Sequence, residues 1–283
     1  MKKQVLVSVD RGETRVALME AEGKPTKGTA RSAGKRDGWR VAELYLERRG
    51  NRSIVGNIYK GRVDNVLPGL EAAFVDIGLD KNGFLHVDEI VIPGVEVARR
   101  GRPGSKGKTI GEVLKPGQEV IVQVVKDPLK SKGARLSMDL TIAGRYLVYT
   151  PTGEGVGVSK RLDDKERARL RKEVKGLELS GGGAIVRTVA HGAVREDFER
   201  ELQYLFKLNE VLERRGEELA APATVFQEAD LSVRVVRDIF SADFERAIVD
   251  DEQQHHRLVS FFTRTAPKLV DRVELWQEST PLL

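Results

Sequence analysis

The sequence predicts an α+β protein built around a small closed β-barrel, and three observations carry that expectation. Residues 56–90, GNIYKGRVDNVLPGLEAAFVDIGLDKNGFLHVDEI, run as short alternating segments with glycines at the corners, as strongly bent strands closing on themselves do. Residues 5–10 and 14–20 alternate about Arg11-Gly12 and read as a hairpin. Residues 195–216 instead place Phe198, Leu202, Leu205 and Leu212 at helical spacing, a core stripe.

Composition narrows the class. A chain of 283 residues allows two or three compact units, at roughly 100–200 residues per domain. A hydrophobic content of 40% is enough for real cores, while 32% charged residues and no long apolar run exclude a membrane span. The opening MKKQVLVSVDRGETR meets an acid within ten residues and has no small-residue cleavage site, so it reads as a first strand and not a signal peptide. The absence of cysteine removes disulfides and thiolate metal sites and fits a cytoplasmic protein. The net charge of +5 is modest. Cations clustered beside aromatics point to nucleic acid more strongly than that global excess does.

Within the barrel stretch, Pro68-Gly69 makes a turn, Ala73, Val75 and Ile77 alternate, and Asn82-Gly83 is a tight-turn pair before Phe84-Leu85. Phe74 is out of phase with the alternating set. If that set faces the core, Phe74 faces water, with Lys60, Arg62, Lys81 and Lys126 as surrounding cations. The pattern alone leaves two readings open: a base-stacking platform, or core aromatics beside ordinary surface lysines. Residues 23–40 and 95–108 are basic, glycine-containing loops, either solvated or in contact with RNA backbone. Residues 41–47 read as a third strand feeding the barrel, and 119–126 and 134–139 as its closing strands about a turn at 130–132.

Beyond the barrel, residues 153–161 (GEGVGVSKR) resemble a phosphate cradle, but no helix follows at the spacing of a nucleotide loop. Asp163-Asp164 cap a charged helix to residue 176, with Ala168, Leu170, Val174 and Leu177 as its buried stripe. The run 180–183 releases a short strand, AIVRTVA, carrying Arg187-Thr188; a guanidinium fork beside a hydroxyl can bind phosphate bidentately, or be an ordinary surface arginine. His191 sits in a turn near Arg187. Pro222 marks a boundary, after which 231–237 alternates as a strand, 244–249 is a short element, 252–265 a helix and 271–277 a last strand. These look like the second half of a mixed sheet begun by residues 1–50. Asp251 and His255 have a spacing that suits a metal, but solvated histidines near a helix cap are the plainer reading. No nucleophile triad, phosphate loop or paired-carboxylate spacing is present.

The segment NIYKGRVDNVLPGLEAAFVDIGLDKNGFL resembles the RNA-binding barrel of the ribonuclease E/G family of endoribonucleases. EVLKPGQEVIVQVVKDPLKSKGARLSMDLTIAGRYLVYTP, GVSKRLDD and GAIVRTVA continue that family's order. The resemblance implies a split ribonuclease-H-like subdomain (1–52 and 222–283) holding an inserted OB-fold barrel (53–142) and an α/β 5′-sensor subdomain (143–221). In the family, positions matching Phe74, Phe84, Lys126 and Lys132 contact RNA, and Arg62 is a further candidate. Ile77 stands where an aromatic is common, which makes the stacking surface smaller. Positions matching Arg187 and Thr188 hold a 5′-terminal monophosphate with backbone at Gly144 and Val148, and Lys160 and Arg161 match a nearby basic pair, the first usually arginine. The resemblance also implies single-stranded RNA, especially 5′-monophosphorylated, as partner, with roles in mRNA decay and rRNA processing. It implies magnesium-dependent hydrolysis by aspartates of a further domain beyond Leu283, homo-oligomers assembled largely through that part, and no cofactor or metal in residues 1–283. A stand-alone RNA-binding or assembly module is the alternative. A translation or transcription factor sharing only the barrel is disfavoured, because the resemblance continues through GAIVRT.

Overall fold

A computed structural model describes residues 1–22, 38–97 and 107–283. The basic stretch 23–37 and most of the loop 95–108 lie outside the described residues. The chain opens with β1 (Lys2–Val9), β2 (Glu13–Ala21) and β3 (Trp39–Arg48). These three pair antiparallel in sequence, and the β1–β2 turn is held by Asp10, whose carboxylate accepts from the Gly12 and Glu13 N–H groups. The third strand therefore starts two residues before the expected Val41, and it lies at the edge of the β1–β2 sheet instead of feeding the barrel.

The barrel follows as β4 (Ile58–Leu67), β5 (Ala72–Asp76), β6 (Gly83–His86), the single-turn helix α1 (Ile110–Val113), β7 (Glu119–Lys126) and β8 (Arg135–Ser137). Their order β4-β5-β6-β8-β7 closes through β4–β7 pairing, giving five strands with only β6–β8 parallel. Val63, Ala73, Val75, Leu85, Val122, Val124 and Leu136 fill the interior, as the alternation requires.

The next unit contains β9 (Ile142–Ala143), β10 (Leu147–Thr150), β11 (Gly155–Val158), α2 (Asp164–Glu173), β12 (Gly183–Val186) and α3 (Arg195–Glu218). The strands align as β11-β12-β10-β9, and α2 and α3 cover them through Leu170, Val174, Phe198, Leu202 and Leu205. Asp163 caps α2 by accepting from the Glu166 N–H at 2.9 Å. Ala168, expected in the buried stripe, is exposed, and the buried position is Glu166. Its carboxylate is neutralised by Arg169, so a charged side chain turns inward where an alanine was expected to.

After β13 (Ala223–Phe226), which adds to the outside of β4, come α4 (Leu231–Ile239), β14 (Phe244–Val249), α5 (Glu252–Thr265) and β15 (Val273–Leu275). Residues 231–237, read as a strand from the sequence, form helix α4. Valine alternation favours a strand locally, but Asp230 caps the segment at the Val233 N–H. Packing between the first sheet and α5 then buries Leu231, Val233, Val235 and Val236 around most of the helix, leaving Arg234 and Asp238 on its open side. The chain returns to its first sheet: β14 pairs parallel with β1 and β15 with β14, completing the order β15-β14-β1-β2-β3. This is a sheet split by the intervening units. One face packs under α4 and α5, while Leu6, Met19 and Ile248 on the other meet Leu282, Trp39 and Trp276.

Candidate nucleic-acid interface

On the barrel's outer face, β5 turns Ala73 and Val75 inward and so presents Phe74 outward. Phe84 lies directly opposite it on β6, and the two half-buried rings meet edge to face, with centroids 5.9 Å apart and an angle of 67°. His86, two residues along the same strand, extends the row at 6.4 Å from Phe84. Phe74 and Phe84 border an open depression of about 840 Å³ whose rim includes Lys81, Lys126, Lys132 and Arg135, with the acids Asp80 and Asp127. Lys126 and Lys132 are exposed and in no ion pair among the described residues. Gly133 is what lets the two walls touch: a Cβ there would fall 1.9 Å from the Asn82 carbonyl oxygen. Lys81 bridges the same walls by donating to the Lys130 carbonyl at 2.5 Å.

The structure thus brings Phe74, Phe84, Lys126 and Lys132 to one place, with Lys81 beside them. It does not bring Arg62 or Lys60 there. Both turn to Glu119 (3.4 and 3.1 Å), and Arg62 also donates to the Ala221 carbonyl, because β4 faces β7 and the 221–226 segment on that side. His86 and Arg135 were not singled out from the sequence. His86 had a usable signal, its two-residue spacing from Phe84; Arg135 had none, since only the β6–β8 pairing sets it opposite Phe84.

A second cluster lies at the end of β12. Arg187 and Thr188 follow that strand and open a 3-10 turn, one step beyond the strand expected for them. Arg187 Nη1 donates to the Gly144 carbonyl at 2.6 Å and Nη2 pairs with Asp238 at 2.7 Å. Thr188 Oγ1 lies 3.1 Å from Ser159 Oγ, and the exposed Lys160 and Arg161 continue from that serine. Val148 sits within β10, opposite Ala143 and Ile185.

The backbone donors expected to help at residues 144–148 are largely committed elsewhere. The Gly144 N–H bonds Leu147 O, and those of Arg145, Tyr146 and Leu147 all donate to the carboxylate of fully buried Glu201, at 2.5, 2.8 and 2.8 Å. Burial pushes the Glu201 carboxyl up to about 7, against the pull of these three donors and of Arg145. A Cβ at Gly144 would lie 2.7 Å from the Glu201 carboxyl carbon, so the turn wraps the carboxylate only with glycine there. What Gly144 offers Arg187 is its carbonyl.

Among the described residues, no group of three or more His, Asp or Glu is placed to hold a metal. Asp251 caps α5 at the Gln254 N–H, and His255 Nε2 lies 3.3 Å from the Val273 carbonyl. Among the described residues, no helix is long and apolar enough to cross a membrane.

A closed five-strand barrel with paired aromatics and lysines on one outer face defines an OB-fold RNA-binding protein, and the S1 RNA binding domain matches residues 53–139. The Ribonuclease E/G family matches residues 141–283, and the chain belongs to that family. It is 39% identical to ribonuclease G of Salmonella typhimurium (strain SL1344) over its whole length, covering 54% of that protein. Ribonuclease G of Haemophilus influenzae is 37% identical over 99% of the chain, again covering 54% of the relative. Ribonuclease E of Haemophilus influenzae is 33% identical over the whole chain, which covers 28% of it. The chain spans about half the length of the ribonuclease G relatives it matches.

Proposed function

We propose that residues 1–283 are the RNA-gripping and 5′-end-sensing part of a single-strand-specific endoribonuclease acting in mRNA decay and rRNA processing in the cytoplasm. The observation that carries this reading is the Phe74–Phe84 pair opening onto a depression rimmed by lysines. Unpaired bases stack on such rings whatever their identity, while Lys81, Lys126 and Lys132 neutralise the phosphates that follow. Arg187 and Thr188 supply a guanidinium and a hydroxyl for the terminal phosphate of a 5′-monophosphorylated strand, with Lys160 and Arg161 adding positive charge. Hydrolysis itself, with its magnesium, is assigned to residues outside this chain, as is assembly into homo-oligomers. The division at residues 52, 142 and 221 belongs to the same proposal.

The test uses the 283-residue chain and a short unstructured RNA. We expect binding without cleavage, with or without magnesium. Phe74→Ala should weaken binding by about 1–3 kcal/mol, the worth of one base–aromatic stack, with the melting temperature little changed. Lys126→Ala should reduce the salt dependence by about one phosphate contact. Chelator-sensitive cleavage by this chain would overturn the division of labour; loss of the folded barrel in Phe74→Ala would make the ring a core residue.

A further inference from the structure

We infer that Asp238 is a built-in competitor for the 5′-phosphate, a carboxylate that occupies Arg187 until the terminal phosphate takes its place. The inference rests on the end-sensing reading above and adds to it the group that sets its threshold.

Three features of the cluster carry it. Both terminal nitrogens of Arg187 are engaged within the protein, Nη2 by Asp238 Oδ1 at 2.7 Å and Nη1 by the Gly144 carbonyl at 2.6 Å. A phosphate dianion arriving at that guanidinium would sit beside the Asp238 carboxylate, and like charges a few ångströms apart oppose one another. Asp238 must therefore yield Arg187 for the dianion to bind well.

Asp238 also has a second partner that is not lost in the exchange. Arg237 Nε lies 2.9 Å from the same Oδ1. The Arg237 side chain is only 9% exposed and is held in turn by Glu228 at 3.1 Å and the Ala143 carbonyl at 3.3 Å. When Arg187 turns to a phosphate, the carboxylate keeps a charge partner, so the exchange leaves no buried charge unpaired.

Finally, the backbones that carry the two sides of the contact are tied to each other. The fully buried Arg145 side chain donates to the carbonyls of Arg237 and Phe240, joining the end of α4 to the turn whose Gly144 carbonyl receives Arg187. The competing carboxylate thus belongs to the helix over the first sheet, and the guanidinium to the β9–β12 unit. A 5′-hydroxyl end, with no charge, cannot displace Asp238, whereas a dianion can. The ion pair sharpens the distinction by keeping Arg187 from weaker anions.

The experiment measures binding of one short RNA, bearing either a 5′-monophosphate or a 5′-hydroxyl, to wild type, Asp238→Asn, Arg187→Leu and the double variant. Asparagine keeps the size and one acceptor but removes the charge. Asp238→Asn should bind the monophosphate form roughly threefold to tenfold tighter, bind the hydroxyl form unchanged, and lose the gain when Arg187→Leu is added. Monophosphate preference appearing only in Asp238→Asn would also support the inference, with the wild-type pair closed to ligand. A wild type that prefers monophosphate, with Asp238→Asn equal or weaker, would overturn the inference and leave the end-sensing reading intact. An equal gain for both RNA ends, reflecting net charge alone, would overturn it as well. If neither protein distinguishes the two ends, both readings fall.

Discussion

Gly133 shows how the proposed RNA face depends on one side chain that is absent. Its backbone packs so closely on the Asn82 carbonyl that a methyl group would sit 1.9 Å from the oxygen. Gly133→Ala must push the 129–133 segment away from the Asn82 backbone, and with it the wall between Lys81 and Lys132. Forcing an extra carbon into a packed site costs about 1–3 kcal/mol. We therefore expect a lower denaturation midpoint together with weaker RNA binding, read by urea unfolding and by titration with a short RNA. A variant with wild-type stability and affinity would mean the two segments do not need this contact. At the same scale, Phe74 faces outward only because its neighbours Ala73 and Val75 fill the barrel, and Arg62 is drawn off by Glu119.

Among the elements, helix α4 depends most on its cap. Asp230 Oδ1 accepts from the Val233 N–H and the Ser232 hydroxyl, while Oδ2 receives Gln254 and Arg257 from α5. One carboxylate thus starts α4 and ties it to α5. Loss of an N-cap alone costs about 0.5–2 kcal/mol, and the severed tie to α5 adds to it. Asp230→Ala should lower the unfolding midpoint by more than a cap loss elsewhere, such as Asp163→Ala on α2, and comparative chemical denaturation of the two variants checks this. Equal effects would show that the Gln254 and Arg257 contacts contribute little. Helix α4 also carries Asp238, so the variant should disturb the proposed 5′-end preference too.

For the whole molecule, acid stability has an identifiable contributor in Glu166. Arg169 grips its carboxylate with two donors, at 2.7 and 2.8 Å, and the Gly192 N–H adds a third at 2.7 Å. Arg169 foremost, then Gly192, with a smaller pull from His191, hold the carboxyl down at about 2, from an ordinary 4.5. A carboxyl lowered in the folded state stabilises the fold above its unfolded value and loses that contribution as pH falls through the folded one. The window therefore runs from about pH 4.5 down to about pH 2. Glu166→Gln should be less stable than wild type at neutral pH, with the gap closing across that window, as urea midpoints from pH 7 to 2 would show. A gap independent of pH would assign the loss to geometry and not to charge.

What the sequence determined by itself was local. The barrel's strands, the opposite phases of Phe74 and of Ala73 and Val75, and the core stripe of α3 follow from alternation and helical spacing, which neighbouring residues set; the tight turn expected at Asn82-Gly83 does not form, because Gly83 already pairs with Val75 in β6 and the chain bends at residues 78–81. The class of protein was legible for the same reason, because the family's motifs are short and contiguous. Tertiary structure decided whatever depends on partners remote in the chain. It made a helix of residues 231–239 because the Asp230 cap and burial of Leu231, Val233, Val235 and Val236 outweighed the valines' preference for a strand. It turned Glu166 inward in place of Ala168, because Arg169 and Gly192 were there to satisfy a carboxylate. It spent the backbone donors of residues 145–147 on Glu201, and it set Asp238 against Arg187. Local pattern records which face a side chain takes on its own strand or helix; which charge it meets there depends on how the units pack.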